Sequence, residues 1–407
     1  MNKNKIANIL LLLMFGETAS LALEVTKKSK IQKHTFKANA ELGVGYDSNP
    51  YLAPSVSYYD LTRTAGGTLI VPNIQSGFFV PAKVKLGYEY RFDKDIRLLS
   101  SFKFSGKYFT NADLQNANQY KTELKMGTRF RFNKYKKETN KIELLALIGN
   151  VDRIYVDHDD GTIKTTGTNN NNQSNRYKYK KIGADIKYVY EFKKIDFLAN
   201  LRYEDRDYED PATWSSLDHK YTKLRIQSGY QLTKSFHIGA YYEYALRDYR
   251  ERKSYEIDPD GTIRLRKPGV KYTYHGVKVY GDYKITKNYK MSLDYALTSR
   301  VDDNQGYSDY LYHRVNLSNN YRVTKDLRVY LDLDYYLYDY ENAYAFDTNT
   351  GLERKEANGY DIDFRTKYRL SSDMAVEFDL GYKNAFSNDY RYHYNEMITM
   401  LSLKYKY

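Results

Sequence analysis

Residues 324–338 read Thr324-Lys325-Asp326-Leu327-Arg328-Val329-Tyr330-Leu331-Asp332-Leu333-Asp334-Tyr335-Tyr336-Leu337-Tyr338. After a three-residue polar joint, Leu327, Val329, Leu331, Leu333, Tyr335 and Leu337 fall on one parity. Arg328, Tyr330, Asp332, Asp334, Tyr336 and Tyr338 fall on the other. Successive side chains of a strand point to opposite faces, so this segment has one face suited to lipid and one suited to water. The joint recurs as Thr233-Lys234-Ser235 and Thr286-Lys287-Asn288, again between alternating, tyrosine-rich runs. Amphipathic strands repeated across short turns are the pattern of a transmembrane barrel wall.

The same parity extends along the chain. Val84, Leu86, Tyr88, Tyr90 and Phe92 oppose Lys83, Lys85, Glu89 and Arg91, and Met374, Val376, Phe378, Leu380 and Tyr382 oppose Glu377, Asp379 and Lys383. A slip of one residue would turn these charges to lipid, at about 2–4 kcal/mol for a basic side chain at the midplane. Further short joints lie at Asp93–Asp95, Asn133–Asn140, Lys193-Lys194 and Ser371–Asp373. Seven joints predict about eight hairpins, hence a single all-β, antiparallel barrel of about sixteen strands, with fourteen or eighteen left open. Between them run longer segments, roughly 47–78, 111–117, 157–176, 209–217, 251–270, 301–308, 341–356 and 387–391. Short turns on one rim and long loops on the other set the sidedness, with the long loops outside.

Proline cannot donate to a sheet ladder. Pro50, Pro54, Pro72, Pro81, Pro211, Pro259 and Pro268 all fall in or at the edge of the long segments, and so does the single Trp214. Asp160-Gly161 and Asp260-Gly261 begin two similar phrases, read as tight turns on loops that continue as strands above the membrane.

Composition narrows the class. The 407 residues include 47 Tyr and no Cys, and after the N-terminus nothing approaches the roughly 20 apolar residues of a membrane-spanning helix. Lys3 and Lys5 precede the apolar run Ile9–Phe15, and Ser20-Leu21-Ala22 supplies small residues for cleavage near Ala22. The expected organisation is a signal peptide at 1–22, a short periplasmic segment at 23–35 and the barrel at 36–407. Without residues 1–22 the formal charge falls from +13 to +12, because Lys3, Lys5 and Glu17 leave. Such an excess favours anionic partners such as lipopolysaccharide and acidic solutes. Nucleic acid fits poorly, since the basic residues are interleaved with acids and form no run.

The chain ends with Leu401, Leu403, Tyr405 and Tyr407 alternating with Ser402, Lys404 and Lys406. This resembles the last strand of Gram-negative outer-membrane proteins, which the barrel assembly machinery reads as a signal. With the strand number and loop asymmetry, the whole is similar to general diffusion porins. That resemblance implies a third loop folded into the lumen, here Asp157 to Arg176, with Asp157, Asp159 and Asp160 as constriction acids. The porin motif of the Pro-Glu-Phe-Gly-Gly type is missing, and Asn169–Asn172 stands in the segment instead. Gly45-Tyr46-Asp47-Ser48-Asn49 also resembles the opening of barrels for exopolysaccharide export and surface-lipoprotein assembly. Only Leu23–Thr35 separates the signal from the first strand, which leaves no room for the periplasmic repeats of those exporters.

On the second to fourth strands, the inward parity carries Lys83, Lys85, Arg91, Arg97, Lys103, Lys107, Lys121, Lys125, Arg129 and Arg131 against Glu89 and Glu123. On the thirteenth to fifteenth it carries Asp332, Asp334, Asp361, Asp363, Glu377 and Asp379, interleaved with Arg328, Arg365, Lys367 and Arg369. Charged walls sort solutes in channels, though single charges also meet the plain need for a polar lumen. The first long segment holds an apolar patch, Leu69–Ile74, which could fold inward as a plug or form an outer hairpin.

Asp157-His158-Asp159-Asp160-Gly161 lacks the alternate spacing of a calcium loop. The seven His residues, at 34, 158, 219, 237, 275, 313 and 393, match no catalytic motif. The sequence therefore predicts no cofactor, no metal and no enzyme. It predicts an outer-membrane channel, porin-like, for passive diffusion of small hydrophilic solutes with anion preference. An export or gated conduit for a surface polymer and a structural or surface-binding barrel are the alternatives. Monomer and trimer both fit.

Overall fold

The computed structural model describes residues 33–60, 67–135, 138–153, 165–166, 171–172, 177–209, 217–258, 263–265, 267–345 and 353–407. The signal-peptide residues, most of 23–35, Asp157, Asp159, Asp160, Pro211, Trp214 and Pro259 lie outside them.

Sixteen antiparallel strands close into one barrel. They are β1 (His34–Asp47), β2 (Gly77–Arg91), β3 (Ile96–Phe109), β4 (Gln119–Arg131), β5 (Thr139–Arg153), β6 (Tyr179–Phe192), β7 (Ile195–Tyr208) and β8 (His219–Gln231). The second half comprises β9 (Phe236–Tyr249), β10 (Lys271–Lys284), β11 (Tyr289–Asp302), β12 (Tyr310–Arg322), β13 (Leu327–Tyr344), β14 (Arg354–Arg369), β15 (Met374–Ser387) and β16 (Tyr394–Lys406). Each strand pairs with its sequence neighbour, and β1 closes on β16 from Asn39 opposite Lys406 to Asp47 opposite Ile398. Strands of 13 to 18 residues exceed the ~9–11 needed to cross a bilayer at a tilt.

The short turns share one device. Thr233 Oγ1 accepts from the backbone N–H groups of Ser235 and Phe236 at 3.2 and 3.0 Å. Thr286 does the same for Asn288 and Tyr289, Thr324 for Asp326 and Leu327, and Ser371 for Asp373 and Met374. Asp93 uses Oδ1 in this way toward Asp95 and Ile96, both at 2.7 Å. A side-chain oxygen replaces the partner that these amides lose when the chain reverses. Those two amides, Asp95 first, hold the exposed Asp93 carboxyl below the usual carboxylate range. The Lys193-Lys194 turn instead places Lys193 at φ +53°.

Register makes the two faces continuous around the wall. Leu293 lies opposite Leu317, Leu317 opposite Leu333, Leu333 opposite Ile362, and Ile362 opposite Tyr382. One residue further along, Asp294, Asn316, Asp334, Asp361, Lys383 and Glu396 form the matching inner row. Leu42, Val44, Ile182, Leu293 and Leu401 are exposed on the outer face, as an apolar band against hydrocarbon requires.

One expectation is corrected. Pro81 stands inside β2, opposite Lys107, and not at a loop edge. On its other side the β1–β2 ladder breaks between Leu42–Ala82 and Gly45–Phe79, because a proline offers no N–H there. In the third loop Thr165-Thr166 pairs with Asn171-Asn172, and Asp160-Gly161 lies outside the described residues. The fifth loop does rise as a ribbon, Tyr255–Ile257 against Ile263–Leu265. The patch around Leu69 also forms a hairpin, with Thr68–Ile70 pairing with Tyr58–Asp60 and Leu69, Val71 and Ile74 exposed.

Candidate functional site: the lumen wall and its outer mouth

Ladder register places all ten basic positions of β2–β4 on the inner face. Arg91 is opposite Arg97, Lys85 opposite Lys103, Lys83 opposite Ser105, Arg97 opposite Arg129, and Ser105 opposite Lys121. About half of this charge is compensated, and much of the compensation comes from strands outside the wall. From β1, Glu41 takes Lys83 at 2.8 Å and Asp47 takes Lys107. From β5, Glu143 takes Arg129 at 2.8 Å, and from β6, Asp185 takes Lys125 at 2.7 Å. Within the wall, Glu89 lies between Arg97 and Arg129. Sequence counting confined to three strands missed these flanking acids, although their parity was readable.

Among the described residues, no ion pair holds Lys85, Lys103, Lys121, Arg91 or Arg131. Lys85 and Lys103 face each other directly, an arrangement that destabilises a sheet. Together with Lys83 and Lys121 they line a lumen cavity of about 650 Å³, which Lys367 and Arg369 also border.

The acidic stripe is arranged the same way with the signs reversed. Asp332 faces Asp363 and Asp334 faces Asp361 across β13–β14. Arg314 binds Asp334 at 2.6 Å and Ser318 donates to Asp332. On β15, Arg365 binds Asp379 at 2.6 Å, and Lys404 pairs with Glu377. Asp332, Asp361 and Asp363 have no ion pair among the described residues. Two strands, β16 and β1, separate this stripe from the basic wall by the shorter way around.

The outer mouth is narrowed by the first loop. Phe79, Phe109, Ile398 and Met400 occupy the inner parity of β2, β3 and β16, where water-facing residues are expected. They are covered by Tyr51, which is 3% exposed, and by Leu114 of the short 3-10 helix Ala112–Ala117. The Tyr46-Asp47-Ser48-Asn49 phrase is the staple that bends the loop inward. Asn49 N–H donates to Asp47 Oδ1 at 2.9 Å, and Asn49 Nδ2 reaches the carbonyls of Ala53 and Asn395. Leu52 sits at φ +56°, a strained conformation for a branched residue that this network holds in place. The Tyr51 hydroxyl donates to the Asp113 carbonyl at 3.0 Å, and burial, followed by the Asp113 charge, pushes its pKa up to about 12. Gly45 has no substitute here, since a Cβ would lie 2.4 Å from the Phe79 ring.

Tyr51 and Leu114 did not stand out in the sequence. The available signal was four apolar residues on the wrong parity at the ends of three strands. Leu401, Leu403 and Tyr405 lie on β16, with Leu401 and Leu403 exposed on the outer face, and Tyr407 follows directly after it. Among the described residues no group of three or more His, Asp or Glu side chains is placed to hold a metal ion.

A closed sixteen-stranded wall, apolar outside and charged inside, defines a transmembrane β-barrel of the outer-membrane type. No family model and no curated protein matches the chain. Among solved structures, the trimer form of OmpT, an outer membrane protein of Vibrio cholerae, is similar at 12% identity and TM-score 0.48 over 92% of this chain and 100% of that one. The outer membrane channel DcaP of Acinetobacter baumannii is similar at 13% identity and TM-score 0.47, with 94% and 99% covered. A bacterial polysaccharide outer membrane secretin is similar at 8% and 0.42, with 90% and 98% covered. At these values the likeness is one of barrel architecture and carries nothing about cargo.

Proposed function

We propose that this barrel is a water-filled outer-membrane channel that passes small hydrophilic solutes and prefers anions. The reading rests on Lys85, Lys103 and Lys121, three lumen-facing cations without an ion pair among the described residues. An unneutralised cation in a low-dielectric pore attracts anions and repels cations far more than it would in bulk water. The chain reaches its membrane through a signal peptide cleaved near Ala22, and the assembly machinery reads Leu401, Leu403, Tyr405 and Tyr407. Its outer rim meets lipopolysaccharide. A reversal potential measured across a planar bilayer in a salt gradient tests the preference, and a cation-selective value would reject it.

A second reading, a gated conduit, is favoured by one observation, the inward tuck of Tyr51. It predicts a wild-type barrel that is nearly silent and a Tyr51→Ala barrel that conducts. An open channel predicts conductance in both, with at most a modest rise in the variant.

A further inference from the structure

We propose that the outer half of the lumen wall between β11 and β16 is a binding site for neutral oligosaccharides. The proposal is independent of the anion preference and concerns different residues. A cleft of about 750 Å³ opens there, within the ~300–1,000 Å³ usual for small-molecule sites. Its floor is aromatic. Tyr336, Tyr338 and Tyr340 follow one another on the inner parity of β13, with centroids 6.1 and 6.0 Å apart, and Tyr312 of β12 packs on Tyr338 at 4.5 Å.

Lipid does not account for these rings, because register turns them away from the membrane. They form no closed core either: all four stay partly exposed, and none of their hydroxyls makes a hydrogen bond among the described residues. A tyrosine whose face and hydroxyl are both accessible is an amphipathic contact with little conformational freedom to lose.

The charges at the site are nearly balanced, with Arg300, Arg314, Lys355 and Arg391 against Asp334, Asp389 and Asp361, the last without an ion pair among the described residues. Arg314 holds Asp334 at 2.6 Å, and Asp389 receives Arg391 at 2.7 Å and Lys355 at 3.2 Å. Arg300 donates to the Ser308 carbonyl at 2.8 Å and lies 4.2 Å from the Tyr310 centroid. Lys355 lies 3.5 Å from the centroid of Tyr392. Protein cations thus already occupy ring faces, which disfavours a cationic ligand. The Asp361 carboxylate offsets the carbonyl-bound Arg300, so the cleft gives an anion little net attraction. What remains is a row of ring faces, free phenols and oriented polar groups. That set is complementary to a pyranose, which presents an apolar C–H face and a rim of hydroxyls.

Calorimetric titration of the detergent-solubilised full-length barrel with maltotriose, cellotriose and chitotriose tests the site, with citrate and choline as charged controls. Binding of at least one trisaccharide is expected, weakened about tenfold in Tyr336→Ala/Tyr338→Ala and about threefold in Tyr338→Phe. Heat-modifiable gel mobility reports that the variants remain folded. The proposal is overturned if no trisaccharide binds the wild-type barrel, if binding is unchanged in both variants, or if citrate or choline binds more tightly than every sugar. Reversal potential reports the anion preference separately, so either reading can fail without the other.

Discussion

On β2–β4, cations face cations: Lys85 opposite Lys103, Arg91 opposite Arg97, and Arg97 opposite Arg129. On β13–β14, carboxylates face carboxylates, with Asp332 opposite Asp363 and Asp334 opposite Asp361. Both walls draw compensation from neighbouring strands, yet they differ in what is left over. The basic wall retains lysines on long, flexible stems that reach toward the pore axis. The acidic wall retains short aspartates close to the sheet, with Tyr336, Tyr338 and Tyr340 just above. Selectivity is therefore expected to follow the lysines, and the aspartates are expected to matter more to local repulsion than to passing ions.

Five experiments break or sharpen this contrast. The largest effect is expected at Glu89, which neutralises Arg97 and Arg129. Glu89→Gln leaves Arg97 without its counter-charge and Arg129 with Glu143 alone, and should cost about 2 kcal/mol in urea unfolding from liposomes. An unchanged midpoint would mean that the arginines are already satisfied by water. Next, Lys85→Gln/Lys103→Gln/Lys121→Gln should move the anion-to-cation permeability ratio toward cations by about fivefold, which is ~1 kcal/mol. The same three changes made at the paired Lys83, Lys107 and Lys125 should move it much less, and equal shifts would erase the distinction between paired and unpaired cations.

A smaller effect is expected from Asp332→Asn/Asp363→Asn. Relief of the carboxylate repulsion should raise stability by up to ~1 kcal/mol with little change in the permeability ratio. A strong shift toward anions would instead make the acidic wall a co-determinant of selectivity. Smallest are the turns: Thr324→Ala should cost about 0.5–1 kcal/mol through two backbone amides left without their acceptor. At Asp93 the sign follows from a lowered carboxyl pKa. The bond pair is present above the unfolded carboxyl value of about 3.9 and is lost as pH falls through the folded value. Amide exchange at Ile96 should therefore quicken only below about pH 4.

Much of the barrel was legible because its signal is local. Parity in Leu327–Tyr338 and the hydroxyl-led turns sets faces, register and strand number without any long-range information. The mouth was not legible for the same reason. Tyr51 is an ordinary loop tyrosine until β2, β3 and β16 bring Phe79, Phe109, Ile398 and Met400 beneath it. The apolar patch at Leu69–Ile74, the more conspicuous plug candidate in the sequence, instead pairs with Tyr58–Asp60 and leaves Leu69, Val71 and Ile74 exposed. Likewise, the charge of the basic wall depends on Glu41, Asp47, Glu143 and Asp185, whose contribution appears only when neighbouring strands are placed beside it.

The capped turns have a kinetic consequence. Fifteen of the sixteen strand pairings join neighbours in sequence, and seven of those close over only a few residues. Searching the chain for those seven partners costs little loop entropy, so each such hairpin can form on its own. Joining β1 to β16 is different, since Glu41 and Lys404 must meet across nearly the whole polypeptide. The last seam to form is thus expected to set the rate of the whole assembly. Substitutions at Glu41, Gly43 or Ser402 should slow maturation of the barrel more than they weaken it once closed.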